Sequence, residues 1–383
     1  MKSLKIVVVS DLHPKLILGG GQSIAYEFYT LLTKSSYNAE FWYTTSEKNN
    51  TNSKNSKEIC IFSSQNKNKF LSKVKELFGG LLLFKFIYLL IVRKPSKIWI
   101  HQIGNNIPFI IIIFIKLLKI ESIITLHDYL ILSKYKIVPV DRNQRVISKL
   151  QDLNLSLYQT LRFFFCRLVV NNSNVIIAVS ELQKEILTNF GIRVTDVRPN
   201  GIAVCKHKKI AKNLSQKGDR SILFAGRLGF KGLDILIQSA NSAKKKWVIH
   251  LAGNSDLLSY AQSKGFNDYI YHGLLTRTEI SSLIHKMDLV FACSQYYDPY
   301  PTICLESLSH GVPFVTTSTS GTSRIYSNKF AKKLVVNVGI VPDLDDIHRF
   351  TDRYKKEILS EGAKIPDVLE VYKSYLNLLG LGI

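Results

Sequence analysis

Short β-branched runs alternate with longer stretches of helical period along the chain, and the alternation begins afresh once, past the middle. Residues 5–9, 41–44, 97–101, 122–126 and 175–179 are largely apolar on both faces, as expected of strands buried inside a parallel sheet. Between them, 22–33, 69–91, 107–118 and 181–190 predict helices, and the polar stretch 46–57 predicts a loop. Residues 202–219 lose apolar content and gain Lys, Ser and Gly, the composition of a linker. Beyond them strands are expected at 221–225, 247–251, 268–271, 289–292 and 314–317, with a helix at 233–243 and others between. Parallel strands need crossover helices, so the pattern predicts two doubly wound α/β domains, residues 1–201 and 219–360. A chain of 383 residues is long enough for two such cores, at about 100–200 residues per domain.

Ligands of doubly wound sheets bind beyond the carboxyl ends of the strands, so the polar residues there are the candidates. Gly19-Gly20-Gly21 follows the first strand and opens a helix. Glycines let backbone approach a ligand, and a helix N-terminus attracts anions. Ile24 stands where a dinucleotide fingerprint needs its third glycine, and no Walker sequence occurs. His127-Asp128 ends the strand at 122–126, where a histidine beside a carboxylate can bond a substrate or simply serve the structure. Gly226-Arg227-Leu228-Gly229-Phe230-Lys231-Gly232 joins another strand to its helix, and two cations at a helix N-terminus suit a diphosphate without a metal. Asp298 and Glu306 bracket a turn and the first turn of a helix. Glu306 can accept hydrogen bonds from a vicinal diol such as ribose. Asp298 can meet a sugar hydroxyl or cap the helix, and the amides around Ile303, Cys304 and Leu305 can receive phosphate. Asp343-Leu344-Asp345 has the spacing of a metal-binding DxD pair, but it lies in an acidic helix start, and no HExxH, GxSxG or EF-hand pattern occurs.

The net charge is +22, and residues 1–200 carry 27 basic against 13 acidic side chains. Such a balance suits an anionic partner: nucleic acid, anionic lipid or a phosphorylated substrate. No RRM, helix-turn-helix or zinc-finger pattern supports the first. In 69–93 and 106–119, Lys and Arg interleave with Phe, Tyr and Leu, a composition for docking on an anionic membrane or for a core helix with a charged outer face. The apolar run 107–115, cut by Lys116 and Lys119, is too short to span a bilayer. The first residues lack a signal-peptide pattern, so a cytoplasmic chain is expected, peripheral on the inner membrane face if it docks. Cys60, Cys166, Cys205, Cys293 and Cys304 form no CxxC pair, which speaks against zinc and dithiol redox chemistry and for reduced thiols.

Taken in order, five of these segments resemble the group 1, GT4-family retaining glycosyltransferases. The run from Ser294 through Gly311, ending Leu305-Glu306-Ser307-Leu308-Ser309-His310-Gly311-Val312-Pro313, is similar to their E-x7-E block, with Asp298 in place of the usual first Glu. Gly226-Arg227-Leu228 with Lys231-Gly232 resembles their diphosphate loop, and Arg198-Pro199-Asn200-Gly201-Ile202 the segment closing their first domain. Gly19-Gly20-Gly21 and Thr125-Leu126-His127-Asp128 match loops of that first domain. The resemblance spans about residues 4–325 and implies a GT-B fold, two Rossmann-like domains facing a cleft, with a last helix near 366–383 completing the first domain. It implies a nucleotide-sugar donor such as a UDP- or GDP-sugar, a glycan or lipid-linked sugar acceptor, a role in surface polysaccharide synthesis, and no metal or other cofactor. By the same resemblance Arg227 and Lys231 would bind the donor diphosphate together with the amides at Ile303, Cys304 and Leu305. Glu306 would hold the ribose, and Asp298 the donor sugar. His127 would sit near the anomeric carbon, Gly20 would approach phosphate or acceptor, and Gly19 and Gly21 would lie on the acceptor side. Two other readings remain open: a non-transferase enzyme of the same fold, such as a UDP-sugar epimerase, and a basic nucleic-acid-binding protein.

Overall fold

The computed structural model describes residues 4–13, 20–45, 56–62, 77–104, 106–140, 146–202, 219–329, 331–353, 357–358 and 365–381. The chain divides into two compact units, residues 1–138 with 147–199, and residues 139–146 with 200–383.

The first unit runs β1 (Lys5–Ser10), α1 (Gly20–Lys34), β2 (Asn38–Thr45), β3 (Glu58–Phe62), α2 (Leu81–Arg93), β4 (Lys97–His101), α3 (Ile111–Leu117), β5 (Glu121–Leu126), α4 (Leu157–Val170), β6 (Val175–Ala178), α5 (Glu181–Asn189) and β7 (Asp196–Val197). Its sheet has the order β3-β2-β1-β4-β5-β6-β7, and every neighbouring pair is parallel. Ile6 to Val9 are fully buried, as are Ile98, Trp99 and Ile100. That is the expected outcome for β-branched runs with helices over both faces. β3 is missed by the sequence reading: it follows a polar stretch, and Glu58 opens it. In the fold it pairs only with β2, where Glu58 takes a hydrogen bond from Tyr26 Oη at 3.1 Å. The helix expected at 107–118 forms only over Ile111–Leu117, after Pro108. Of the helix expected at 69–91, residues 69–76 lie outside the described residues, and α2 starts later, after Gly79 and Gly80.

The second unit runs β8 (Arg220–Gly226), α6 (Leu233–Ser242), β9 (Trp247–Gly253), α7 (Asp256–Ser263), β10 (Tyr269–Gly273), α8 (Arg277–Ile284), β11 (Leu289–Ala292), α9 (Thr302–Ser309), β12 (Phe314–Thr317), β13 (Val335–Val336), α10 (Leu344–Arg353) and α11 (Val368–Leu378). The sheet order is β10-β9-β8-β11-β12-β13, again parallel throughout. Its core is a separate one, with Phe224, Leu236, Trp247, Ile249, Val290, Leu305 and Phe314 inside. Most of the linker expected at 202–219 lies outside the described residues. The final helix, expected with the first domain, falls in the second unit. It is tied there by Ile202, whose N–H donates to Pro366 O at 3.2 Å and whose carbonyl accepts from the Val368 N–H at 2.9 Å.

Candidate functional site

In the second unit the winding reverses between β8 and β11, which lie side by side at the centre of the sheet. Loops leaving the carboxyl ends of two such strands splay apart and leave room for a ligand. The loop after β8 is 227–232, and the segment after β11 leads through Ser294 and Asp298 to α9. These are the two segments singled out by sequence.

Asp298 is buried, at 5% exposure, and its backbone is pinned on both sides. Its N–H donates to Thr319 O at 3.1 Å, and its carbonyl accepts from the Gly321 N–H at 2.8 Å. Three donors converge on its Oδ2: Lys231 Nζ at 2.5 Å, Ser294 Oγ at 2.7 Å and Tyr296 Oη at 3.4 Å. The Lys231 ammonium also lies 5.1 Å from the centre of the Tyr296 ring. Burial by itself would lower the Lys231 pKa, but the Asp298 carboxylate and the Tyr296 hydroxyl beside it raise it above its ordinary value. Burial, with Asp298 adding to it, pushes the Tyr296 hydroxyl up to about 12. Lys231 therefore stays charged but is largely neutralised by its partner.

Arg227 differs. It is exposed and makes no hydrogen bond or ion pair with the described residues, so its guanidinium fork stands ready for an anion. Gly232, the N-cap of α6, has φ +83°, and a Cβ there would sit 2.3 Å from Cys293 O. Only glycine lets the loop after β8 press this closely on the segment after β11.

α9 begins after Pro301, which offers no side-chain cap, and its first turn carries no acidic residue. The positive end of the helix is thus left for an anion. Among the first-turn amides, that of Cys304 already bonds Pro301 O at 3.2 Å. Cys304 and Leu305 are buried and Ile303 is half-buried. Glu306 lies one turn on, its Oε1 3.6 Å from Arg277 Nε. Asp345, half of the DxD pair, is consumed by structure: its carboxylate accepts the Lys244 and Lys245 amides at 2.6 and 3.2 Å and pairs with Arg220 at 3.3 Å. Among the described residues no three His, Cys, Asp or Glu side chains gather as metal ligands.

In the first unit the winding reverses between β1 and β4. Gly19 lies outside the described residues; Gly20 is exposed and opens α1. Gly21 is packed so closely that a Cβ would sit 2.7 Å from Gln102 Nε2 and 3.1 Å from His127 Cγ. His127, just past β5, stacks on His101 at the end of β4, with 5.2 Å between ring centres. His127 Nε2 and His101 Nδ1 share a hydrogen bond of 2.9 Å, while His127 Nδ1 and His101 Nε2 are enclosed without a partner. Burial lowers the His127 pKa to about 4; burial and the neighbouring ring hold His101 well below its usual value. Asp128 turns away to structure, accepting the Leu130 amide at 2.9 Å and pairing with Lys136 at 3.2 Å.

Sequence reasoning gave no role to Ser294 and Tyr296, although they fall in the run it singled out, and missed Arg277, His101 and Gln102. His101 carried a usable signal, since it ends a strand that periodicity had located, beside the strand that leads to His127.

Residues 206–348 match the family model described as glycosyl transferases group 1. By that match the chain is an enzyme of the glycosyltransferase class. No curated protein matches it in sequence. Among solved structures it is similar to Anabaena HepE in complex with UDP and glucose, at TM-score 0.72 and 16% identity over 98% of this chain and 99% of that one. It is also similar to the sucrose-phosphate synthase of Thermosynechococcus elongatus, at 0.71 and 13% over 98% of each chain. The apo lipopolysaccharide outer core galactosyltransferase WaaB matches at 0.61 and 16%, over 98% of this chain and 99% of that one. These likenesses show the fold, two Rossmann-like parallel-sheet domains as in GT-B glycosyltransferases.

Proposed function

We propose that the chain is a retaining, metal-independent glycosyltransferase of the GT4 kind, which moves a sugar from a nucleoside-diphosphate sugar to a glycan or lipid-linked sugar in surface polysaccharide synthesis. One observation carries the reading. The exposed Arg227, the Lys231–Asp298 pair and the uncapped, Glu306-bearing α9 all lie at the carboxyl ends of β8 and β11, within the segment that matches the family. HepE, of the same fold, has been seen with UDP and with UDP-glucose, which favours a uridine donor. A lipid-linked acceptor would bring the chain to an anionic membrane surface.

In this reading Arg227 and the first amides of α9 hold the diphosphate and stabilise the charge that grows on it as the anomeric carbon–oxygen bond breaks. Glu306 takes the ribose diol in place of Arg277. Asp298, oriented by Lys231, accepts a hydrogen bond from a hydroxyl of the donor sugar. The acceptor hydroxyl attacks the face the diphosphate leaves, and its proton passes to the departing phosphate oxygen, which gives retention. Gly20 and His127 are the candidates in the first unit. Contact of His127 with a sugar requires one of its nitrogens to be freed, since Nε2 bonds His101 and Nδ1 is enclosed.

The test is a thermal-shift panel of UDP, GDP, ADP and their sugar conjugates in chelator. A nucleotide at a hundred times its dissociation constant adds about 2.7 kcal/mol, and Arg227→Ala and Glu306→Ala should each abolish most of the shift. Transfer assays then fix the anomeric configuration of the product by NMR. A protein that none of the nucleotides stabilises, or a product of inverted configuration, overturns the reading.

A further inference from the structure

α2 is apolar on two opposite sides, with Lys85 and Arg93 its only charged residues. Leu82, Phe86, Leu89 and Leu90 are buried in the first unit, while Leu81, Phe84, Tyr88, Ile91 and Val92 form a stripe on the opposite side. Leu81 is 85% exposed and Phe84 70%. A helix of this composition is stable only with apolar surroundings on both sides. α4 repeats the pattern: Leu157, Leu161, Phe164 and Leu168, at the i, i+4, i+7, i+11 spacing of one helix face, are exposed, Leu157 at 77%. α3 packs between the two and adds exposed Leu117. Phe78, before α2, joins Phe165 of α4 at 5.4 Å between ring centres, so the surface is continuous. Contiguous apolar surface of this extent marks a binding face.

The charge on this face has one sign. Residues 77–120 contain six basic and no acidic side chains, and residues 153–180 contain two basic and none acidic. Lys85, Arg93, Lys94, Lys116 and Lys119 are exposed around the apolar stripe. Of the described acidic residues just outside these spans, Glu121 pairs with Lys97, Asp152 caps its own turn, and Glu181 is exposed in the first turn of α5. Among the described residues no helix is long and apolar enough to cross a membrane.

We propose that the face built from α2, α3 and α4 docks on an anionic phospholipid bilayer and lies in its interface, with the Leu, Phe and Tyr side chains in the acyl boundary and the Lys and Arg side chains among the headgroups. Charge selects this occupant over a second copy of the chain. Two such faces meeting would set basic side chain against basic side chain on molecules of net charge +22.

The test is flotation of the full chain with vesicles of phosphatidylcholine alone and of phosphatidylcholine with phosphatidylglycerol, across a salt series and with no donor or acceptor present. The absence of substrates separates this result from any failure of the glycosyl-transfer reading. The protein should float with the phosphatidylglycerol vesicles, less so as salt rises. Paired substitutions Phe84→Ser with Tyr88→Ser, or Leu161→Ser with Leu168→Ser, should each weaken binding by about tenfold or more at unchanged melting temperature. Lys116→Glu with Lys119→Glu should weaken it and flatten the salt dependence. The proposal is overturned if the wild type floats with neither vesicle, or if the serine variants float as well as the wild type. It is also overturned if light scattering shows a dimer that these substitutions split, since the face would then receive a second copy.

Discussion

Two cations in one loop carry different burdens. Lys231 spends its charge on Asp298, at 2.5 Å, whereas Arg227 is exposed and uncommitted among the described residues. Arg227→Ala should lower turnover by on the order of a hundredfold, the scale of losing one stabilising donor to a developing anion, while the urea midpoint stays within experimental error. Lys231→Ala leaves the Asp298 carboxylate buried and unpaired, so it should also cost about 3 kcal/mol of stability; equal stability losses in the two variants would contradict this division. The histidine pair gives the pH dependence. An unfolded histidine, near 6.5, takes up a proton that folded His127, near 4, refuses. The stability it contributes is therefore complete above about pH 6.5 and is lost as pH falls toward 4, on the order of 1 kcal/mol per unit. Melting temperatures at pH 7 and 5 should differ less in His127→Gln than in the wild type, and an unchanged difference would show that other groups set the slope.

Among the elements, several helices carry side-chain caps. Thr276 and Glu279 form a capping box at α8, Ser156 and Gln159 another at α4, and Asp367 caps α11. α2, α3, α7 and α9 have none, and of these α9 opens beyond β11 at the candidate site, where its free N-terminus can take an anion. Thr276→Ala should cost about 1 kcal/mol in urea unfolding. Gly232→Ala should cost more, about 2 kcal/mol or above, because it strains a positive φ and drives a Cβ against Cys293 O. A smaller loss at Gly232 than at Thr276 would mean that the loop after β8 gives way freely.

At the scale of the molecule, each unit has its own parallel sheet and its own core. The ligand chemistry proposed for the second unit predicts a local response. UDP should slow backbone hydrogen exchange in 226–232 and 298–306, and leave α2 and α4 unchanged. Protection spread evenly over the chain, or confined to the first unit, would place the nucleotide elsewhere.

Strand and helix alternation, the parallel class of both sheets, and the segments 226–232 and 298–306 were legible in the sequence because each is local. A β-branched run reports burial on both faces, and glycine beside Arg and Lys after such a run reports a loop at a strand end. The edge strand β3 escaped because Glu58 and the polar stretch before it hide the period. The tertiary structure alone decided that Lys231 meets Asp298, 67 positions away, and that His127 lies on His101. It also decided which apolar side of α2 faces outward. These pairings depend on which strands become neighbours when the sheet forms, and no pattern along one segment carries that information.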